Sequence, residues 1–376
     1  MNGSLLSASL VLAALAAPGD RTVVEQTYSN GQVKSRREVQ ENDRGIQIRH
    51  GIEIMYYFSG RERSRIRYKD GVKVGDWITF FDLARAEAAN PQQAIKKGVG
   101  RYRDGRKHGL EQLYFPAGKL FQETNYRRGA KHGMQTRFSS AGYKEYEMEY
   151  SDGQRHGTLK KWYGPQGLRE VQEYRKGLKH GDGAKWFSGG QQAVVASYKK
   201  GRRHGDYVEW FSSGQVKKKL AFHDGARAGD AQQWYASGQL AEQGQFKDGR
   251  QHGVWQEWHS NETHQLATRA EFDLGRFVGQ RISWHENGAK RMIVSYKAGI
   301  AVGPWAEWYE TGAKKAEGNY LNGSFEGQVN YWYPNGQPWT INNYHDGKKH
   351  GEWTEWDEAG NVSKKVYNRG IPVLDR

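Results

Sequence analysis

Seven histidines share one position of a recurring pattern, and histidine is the commonest protein ligand of transition metals. They are His108, His132, His156, His180, His204, His252 and His350. Most neighbours in this series are 24 residues apart, a length that fits one pair of short strands. Equivalent residues of consecutive strand pairs lie about 10 Å apart, whereas Zn–N bonds measure about 2.0–2.1 Å. Histidines of successive pairs therefore cannot share one ion, and we predict turn residues that hydrogen-bond to the backbone, not metal ligands.

Aspartates that precede a glycine could supply paired acids or calcium ligands. The set comprises Asp70, Asp104, Asp152, Asp224, Asp248 and Asp346. Other units place Arg128, Lys176, Lys200 or Asn322 at the same position, an exchange that a turn tolerates and a carboxylate site does not. The sequence has no phosphate-binding loop, zinc-protease motif, nucleophile in a triad context or cysteine. We predict a protein that is not an enzyme and that uses no metal or cofactor.

Basic residues are the strongest candidates for contacts. The formal net charge is +15, and residues 101–225 alone hold 25 Lys/Arg against 13 Asp/Glu. Residues 226–376 hold 17 against 18 and are nearly neutral. An electrostatic partner should therefore favour the middle of the chain. The candidate binding residues are Arg127, Arg128, Lys131, Lys160, Lys161, Lys199, Lys200, Arg202, Arg203, Lys217, Lys218 and Lys219.

Two interpretations of this basic strip stay open. Many of its residues recur with the repeat and should fall along one loop edge. Lysines on such an edge can simply keep an exposed sheet from pairing with another chain. The alternative is a contact strip for an acidic protein, lipid head groups or an anionic envelope polymer. Nucleic acid would satisfy the charge equally well, but an exported protein is not expected to meet it.

The element that positions these residues is a repeat marked by glycine. One glycine returns every 24 residues with a single spacing of 26, and a second glycine follows each four residues later. A fixed period of this length indicates one small supersecondary unit copied along the chain. The first glycines of the regular run are Gly105, Gly129, Gly153, Gly177, Gly201, Gly225, Gly249, Gly275, Gly299, Gly323 and Gly347.

One unit can be read as a β-hairpin. Between Gly201 and Gly205 the sequence predicts a loop, and residues 206–211 then alternate around aromatic and β-branched side chains. Ser213-Gly214 predicts a tight turn, and residues 216–222 form the return strand. Glycines at these turns should have positive φ. We therefore predict an all-β fold: an elongated, open antiparallel β-hairpin array of about 12 units of 24 residues, in a single twisted sheet.

Two aromatic columns accompany the glycines. A Tyr or Phe stands three residues before each first glycine, as in Tyr198, Phe222 and Tyr344. A second ring, usually Trp, stands four residues before the turn glycine, as in Trp210 and Trp332. We predict that both columns form the core and stack one repeat on the next. A carbohydrate- or base-stacking platform would instead require exposed rings on one face.

These units resemble the MORN repeat, as the stretch from Tyr344 through Asp346-Gly347, His350-Gly351 and Trp356 to Gly360 illustrates. They are most similar to its bacterial variant, found in antitoxin or immunity-type proteins of the YwqK kind. The resemblance covers roughly residues 46–370. It implies a twisted antiparallel sheet of hairpins that serves as a scaffold, a protein-binding platform or a lipid binder. It does not identify the partner.

The N-terminus indicates location. The apolar run Leu5 to Ala16, followed by Pro18, predicts a secretory signal peptide over residues 1–16. We expect an N-terminal segment with a partial repeat at 17–45 and the repeat array at 46–376, with an insertion at 82–100. The predicted function is a non-enzymatic scaffold, exported to the periplasm or cell exterior, that binds a protein partner and is possibly antitoxin-like. The alternative is a peripheral envelope protein that holds anionic lipid or cell-wall polymer through residues 101–225.

Overall fold

The computed structural model describes residues 21–82 and 94–373. The predicted signal peptide and most of the predicted insertion lie outside these residues, and β6 begins at Lys96. The chain divides into an N-terminal unit, Met1–Gly190, and a C-terminal unit, Gln191–Arg376. In each unit the described strands pair antiparallel in chain order. The prediction of an all-β hairpin array is therefore confirmed.

The described residues of the N-terminal unit form fourteen strands and one short 3-10 helix, Gly164–Gln166. The strands are β1 Thr22–Thr27, β2 Val33–Glu41, β3 Gln47–Tyr56, β4 Glu62–Lys69, β5 Val72–Phe80, β6 Lys96–Arg103, β7 Arg106–Lys107, β8 Gly109–Tyr114, β9 Leu120–Arg127, β10 Ala130–Phe138, β11 Lys144–Ser151, β12 Gln154–Trp162, β13 Leu168–Arg175 and β14 Leu178–Trp186.

The C-terminal unit continues with eighteen described strands. They are β15 Gln192–Lys199, β16 Arg202–Trp210, β17 Val216–His223, β18 Ala226–Trp234, β19 Leu240–Lys247, β20 Arg250–Trp258, β21 Leu266–Asp273, β22 Arg276–Trp284, β23 Lys290–Lys297, β24 Ile300–Trp308, β25 Lys314–Leu321, β26 Ser324–Phe325, β27 Gly327–Trp332, β28 Pro338–His345, β29 Lys348–Lys349, β30 Gly351–Trp356, β31 Val362–Asn368 and β32 Ile371–Val373.

The turn at each first glycine is shorter than the sequence predicts. Lys200 and Gly201 have φ of 50° and 84°, and Lys199 already pairs with Arg202. Positive φ at both central residues is the geometry that joins two twisted strands with the fewest residues. The predicted loop from Gly201 to Gly205 is therefore wrong, because β16 begins directly after this turn. The strand passes Gly205 through a β-bulge, seen as a register shift in its pairing with β15.

The opposite turn follows the prediction. In the unit of Gly214, the N–H of Phe211 donates to the carbonyl of Gln215, at 2.8 Å. The N–H of Gly214 closes the turn on the carbonyl of Phe211, at 2.9 Å, with φ of 89°. Positive φ at this glycine is therefore confirmed, as it is at Gly225 and at the bulge glycine Gly229.

Backbone bonds connect each turn to the preceding hairpin. The N–H of Gly225 donates to the carbonyl of Arg203, in the strand before, at 2.8 Å. The same bond recurs from Gly153 to Lys131 at 2.8 Å, and from Gly249 to Arg227 at 3.0 Å. A turn with positive φ at both residues aims this N–H outward from its own hairpin. The repeats are thus joined at this end of the strands by main-chain groups, which any sequence supplies.

Side chains join the other ends of the strands. In the C-terminal unit, Tyr309 donates its hydroxyl to the carbonyl of Trp332 at 2.8 Å, and Tyr333 donates to that of Trp356 at 2.9 Å. The ring nitrogen of His285 makes the equivalent contact at 2.9 Å. Each donor follows the tryptophan of its own repeat directly and reaches the tryptophan of the next repeat. In these repeats of the C-terminal unit, both ends of the hairpin therefore contact a neighbouring repeat.

The two aromatic columns lie on opposite faces of the sheet. The Tyr/Phe column packs in the core beside the residues that stand two positions after each second glycine. Trp255 is one of these residues, and its ring centroid lies 5.0 Å from that of Phe246. Trp258 stands three residues further along β20. The register shift between Glu257 and Trp258 adds a residue to β21 and none to β20, so the alternation along β20 points Trp258 to the other face. This second column is only half-buried. The prediction of one common core thus holds for the first column only, because the odd spacing separates the faces.

We predict that replacing Leu274 with asparagine stabilises the protein. Leu274 precedes Gly275 in a turn and has φ of 46°, a conformation that costs an L-residue with a branched side chain about 1–2 kcal/mol. Asparagine tolerates this region better, so L274N should raise the free energy of unfolding by about 1 kcal/mol in urea titrations. The matched control is L321N, at an exposed leucine that ends β25 outside a left-handed turn. Equal effects of both variants would contradict the proposed turn strain.

Candidate binding surfaces

A column of cations lies over the tyrosine column in the N-terminal unit. Each cation stands two residues before the second glycine of a unit. Its strand pairs with the following strand, which carries the tyrosine. Each lies above one tyrosine ring at a nearly constant distance, which fixes a long side chain at little cost. We call these residues the cation–tyrosine column. The pairs are Arg49–Tyr68 at 5.1 Å, Lys73–Tyr102 at 5.2 Å, Lys107–Tyr126 at 5.1 Å, Lys131–Tyr150 at 4.9 Å and Arg155–Tyr174 at 5.3 Å.

Buried acceptors lie beneath part of this column. Glu53 is 7% exposed, accepts the Tyr68 hydroxyl at 3.1 Å and lies 3.4 Å from the Arg49 guanidinium. Glu111 is equally buried and pairs with Lys107. These carboxylates hold the cations in place, because a buried charge requires a partner. Part of each of these two cations stays accessible, since the side chains of Arg49 and Lys107 are 44% and 37% exposed.

Two tyrosines, one in this column and one in the C-terminal unit, have a raised pKa. Burial first, and then the nearby Glu111 carboxylate, raise the pKa of Tyr126 to about 12. In the C-terminal unit, burial and a hydrogen bond to Glu209 raise the pKa of Tyr207 to about 12. Both phenols therefore remain hydrogen-bond donors at any physiological pH.

The equivalent column of the C-terminal unit is interrupted. Arg203 lies 5.1 Å from the Phe222 ring, and Arg227 lies 5.1 Å from that of Phe246. Further along, uncharged residues replace the cations: Gln251, Phe277, Ala301 and Phe325. Lys349 restores the pattern and lies 3.9 Å from the Trp353 ring. The charged surface thus belongs mainly to the N-terminal unit.

The basic residues predicted from the sequence are distributed differently in the N-terminal unit. Lys131 belongs to the cation–tyrosine column. Arg127 pairs with Asp152 of the next turn at 2.9 Å, and Arg128 is a turn residue with φ of 51°. Lys160 and Lys161 lie at the far end of β12, where Lys161 pairs with Glu170 at 2.8 Å. They do not share one edge, because the two ends of a strand lie on opposite edges of the sheet.

The same division occurs in the C-terminal unit. Lys199, Lys200, Arg202 and Arg203 surround the turn between β15 and β16. The lysines of β17 lie near the opposite ends of the strands; Lys217 pairs with Glu209 at 2.7 Å, Lys218 lines a cleft, and Lys219 approaches the Trp234 ring at 5.7 Å. The sequence analysis missed Arg49, Lys73, Lys107 and Arg155. Their fixed offset from the second glycine is the pattern that identifies them.

The recurring histidines are strand or bulge residues that reach the next turn. His132 lies in β10, and its ring nitrogen is 3.5 Å from the carboxylate of Asp152. His252 lies 3.4 Å from Asp273 in the same way. The predicted role as turn residues that bond to the backbone is therefore wrong for these two, because β10 and β20 begin before them. They connect consecutive repeats instead.

A cleft opens in the C-terminal unit where a small side chain, Ala231, occupies a core position. Its volume is about 360 Å³, and it is lined by Ala231, Phe246, Trp255 and Glu242 among others. Ala231 occupies the position that holds Trp255 one repeat later. In the N-terminal unit Gly183 stands at that position, but the buried Gln172 fills the space beside it. Burial, and then the neighbouring Glu257, raise the pKa of Glu242 in the cleft.

No helix in the described ranges is long and apolar enough to cross a membrane.

Four segments match the family model of the MORN repeat variant: residues 107–128, 227–248, 325–346 and 349–367. No curated protein matches the chain. The crystal structure of TcdB2-TccC3 is similar at 9% identity and a TM-score of 0.17, over 92% of this chain and 24% of that one. The TcdB2-TccC3-Cdc42 structure is similar at 10% identity and a TM-score of 0.13, over 92% and 24%. The chain thus spans about a quarter of the length of these chains, and this similarity carries no functional argument.

We predict a loss of stability at alkaline pH that depends on Tyr126. Its folded-state pKa lies above the unfolded value, so the stabilisation is fully present below about pH 10 and is lost as the pH rises towards 12. Urea midpoints measured at pH 8 and pH 11 should fall less for Y126F than for the natural protein. Y143F, at an exposed tyrosine, serves as control. An unchanged pH dependence in Y126F would contradict the assigned environment.

We predict that A231L fills the cleft and stabilises the protein. Leucine would add apolar contacts with the Phe246 and Trp255 rings that line the cleft, and filling a cavity commonly gains about 0.5–2 kcal/mol. The control G183L should destabilise, because a Cβ at Gly183 would lie 2.3 Å from the Gln172 amide oxygen. Both are measured by thermal unfolding. Destabilisation of A231L to the extent of G183L would show that the cleft is not free space.

Proposed function

Because the chain carries MORN repeats of the variant type, we propose that it is a non-enzymatic scaffold that binds an acidic protein through the cation–tyrosine column. The observation that carries this proposal is the regular series of five cations, each fixed over a tyrosine ring within one unit. Pre-positioned cations lose little conformational entropy when they bind a carboxylate. Tyrosine and arginine are also enriched at the centres of protein interfaces.

The buried carboxylates favour a protein over a uniform polyanion. Glu53 and Glu111 lie beneath two of the five cations and offset part of their charge. A polymer with a negative charge on every residue would meet these carboxylates at each such position. A protein surface can instead place carboxylates opposite the better exposed cations and hydroxyl or apolar groups elsewhere. Equivalent cations in successive repeats lie about 10 Å apart, which suits a folded or extended acidic partner.

The partner is proposed to reside in the cell envelope or outside the cell. The apolar run from Leu5 to Ala16 supports export, although it lies outside the described residues. An antitoxin-like or immunity-like role is a special case of this proposal, in which the acidic partner is a toxin.

A second candidate is electrostatic binding to anionic lipid or cell-wall polymer. The exposed turn cations Arg128, Lys200 and Arg202 favour it, since they present positive charge to solvent at the turns. This mode predicts binding that weakens steeply with salt, and it depends on the net charge of residues 101–225 rather than on the column.

The test is a pull-down from envelope extract with three forms of the protein at low and high salt. The column variant carries R49Q, K73Q, K107Q, K131Q and R155Q. The control variant carries R137Q, K144Q, K160Q, K161Q and K185Q, which remove the same charge elsewhere in the same unit. We expect a discrete acidic protein that survives the high-salt wash on the natural and control forms. The column variant should bind it at least tenfold more weakly, about 1.4 kcal/mol.

Three outcomes decide between the candidates. Selective loss of one identified protein from the column variant supports the scaffold. Equal loss from both variants contradicts the column as the binding site. Recovery of only lipid or wall polymer, released by salt from all forms, contradicts the acidic-protein proposal and supports the second candidate.

A further inference from the structure

Two histidines and one aspartate converge at the open end of the hairpin formed by β16 and β17. His204 lies in β16, while His223 ends β17 and directly precedes Asp224 in the turn. Gly205 pairs with Phe222, so the two histidines are cross-strand neighbours, with ring centroids 5.0 Å apart. The sequence analysis excluded an ion shared between successive repeats. That exclusion does not apply here, because both histidines come from one hairpin.

The donor atoms are spaced as the ligands of one ion are. Nδ1 of His204 lies 3.2 Å from Oδ1 of Asp224, and Nδ1 of His223 lies 4.0 Å from Oδ2. One ligand atom from each of the three residues falls within 4.8 Å of the others. In a tetrahedral zinc site, with bonds of about 2.0–2.1 Å, neighbouring ligand atoms are about 3.3 Å apart. Small side-chain rotations close the remaining gap, since His223 is 72% exposed.

The ring nitrogen Nδ1 of His204 faces both the carboxylate and the backbone N–H of Asp224. The backbone N–H of Asp224 donates to Nδ1 of His204 at 3.3 Å, which requires Nδ1 to carry no proton. The same Nδ1 faces Oδ1 of Asp224 at 3.2 Å, so an acceptor faces an acceptor. One proton on Nδ1 would satisfy the carboxylate but would turn Nδ1 into a donor facing the N–H. A cation bound between the ring nitrogen and the carboxylate would remove the contact between the two acceptors, and it would take the single Nδ1 lone pair in place of the Asp224 N–H.

We propose that His204, His223 and Asp224 form a binding site for a divalent transition-metal ion of the zinc and copper class. Imidazole nitrogen suits these ions, and the carboxylate supplies charge. Water completes the coordination, as in sites with three protein ligands. The neighbouring Arg203 guanidinium is held over the rings of Tyr207 and Phe222, at 4.7 and 5.1 Å, which positions its charge on the aromatic face.

The other His-Asp-Gly turn lacks this arrangement. There Glu326 replaces the strand histidine, and its carboxylate accepts both the His345 ring at 3.0 Å and the N–H of Asp346 at 2.9 Å. A carboxylate has enough lone pairs for both contacts, so no acceptor is left facing another. The proposal is therefore restricted to the turn of Asp224.

The experiment titrates Zn²⁺, and separately Co²⁺, into the chelator-treated full chain without an affinity tag. Calorimetry gives the stoichiometry, and Co²⁺ absorption reports the coordination geometry. We expect one ion for each chain, with tetrahedral Co²⁺ absorption. The variants H204A and H223K should each lose this binding. Both copy residues that other repeats carry at these positions, Ala228 and Lys247, so the fold is retained.

The control is H252A, at a histidine whose hairpin carries Asp273, 3.4 Å away, at the position of His223 and Leu274 at the position of Asp224, so that no second histidine is present. It should bind the ion as the natural chain does. Binding that persists in the H204A/H223K double variant, binding that H252A abolishes, or the absence of binding at micromolar ion would each overturn the proposal.

Discussion

The structure depends on one backbone interaction. It is the hydrogen bond from the N–H of the first glycine of a repeat to a strand carbonyl of the preceding hairpin. In the turn that contains Gly225 this bond measures 2.8 Å, and it requires left-handed backbone at both turn residues. Glycine meets that requirement without strain, and aspartate or asparagine meets it at low cost. Because the bond fixes each hairpin against the one before it, it also fixes which side chains lie above one another. The cation–tyrosine column is a direct consequence of this register.

The sequence predicts the period, the strand content and the turn glycines, because these depend on left-handed backbone positions that glycine occupies without strain. It does not separate strand from loop at Arg202 and Arg203, since polar residues after a two-residue turn look like a loop. It also does not reveal the buried position that holds Trp77 in one repeat, Glu53 in another and Gly183 in a third. A position of such variable chemistry is recognised only when pairing shows that it faces the core.

The residues proposed to bind a partner were harder to predict than the fold for a related reason. A cluster such as Lys217 to Lys219 is conspicuous in a sequence. In the structure, however, Lys217 pairs with Glu209 and Lys219 lies against the Trp234 ring. The cations of the column are isolated in the sequence and aligned only by the repeat. Their chemistry emerges from stacking hairpins: a long cation, a tyrosine ring and, in places, a buried carboxylate. Local charge density is therefore a poor guide to the surface of a repeat protein.

The measurement that tests the central claim most directly is amide hydrogen exchange at individual glycines. If the first glycines of the repeats connect consecutive hairpins, the N–H of Gly153 should exchange only when its unit unfolds, although its turn is exposed. The N–H of Gly142 closes its own turn on Ser139 at 2.9 Å and should exchange through local opening, much faster. Equal and rapid exchange at both glycines would contradict the account.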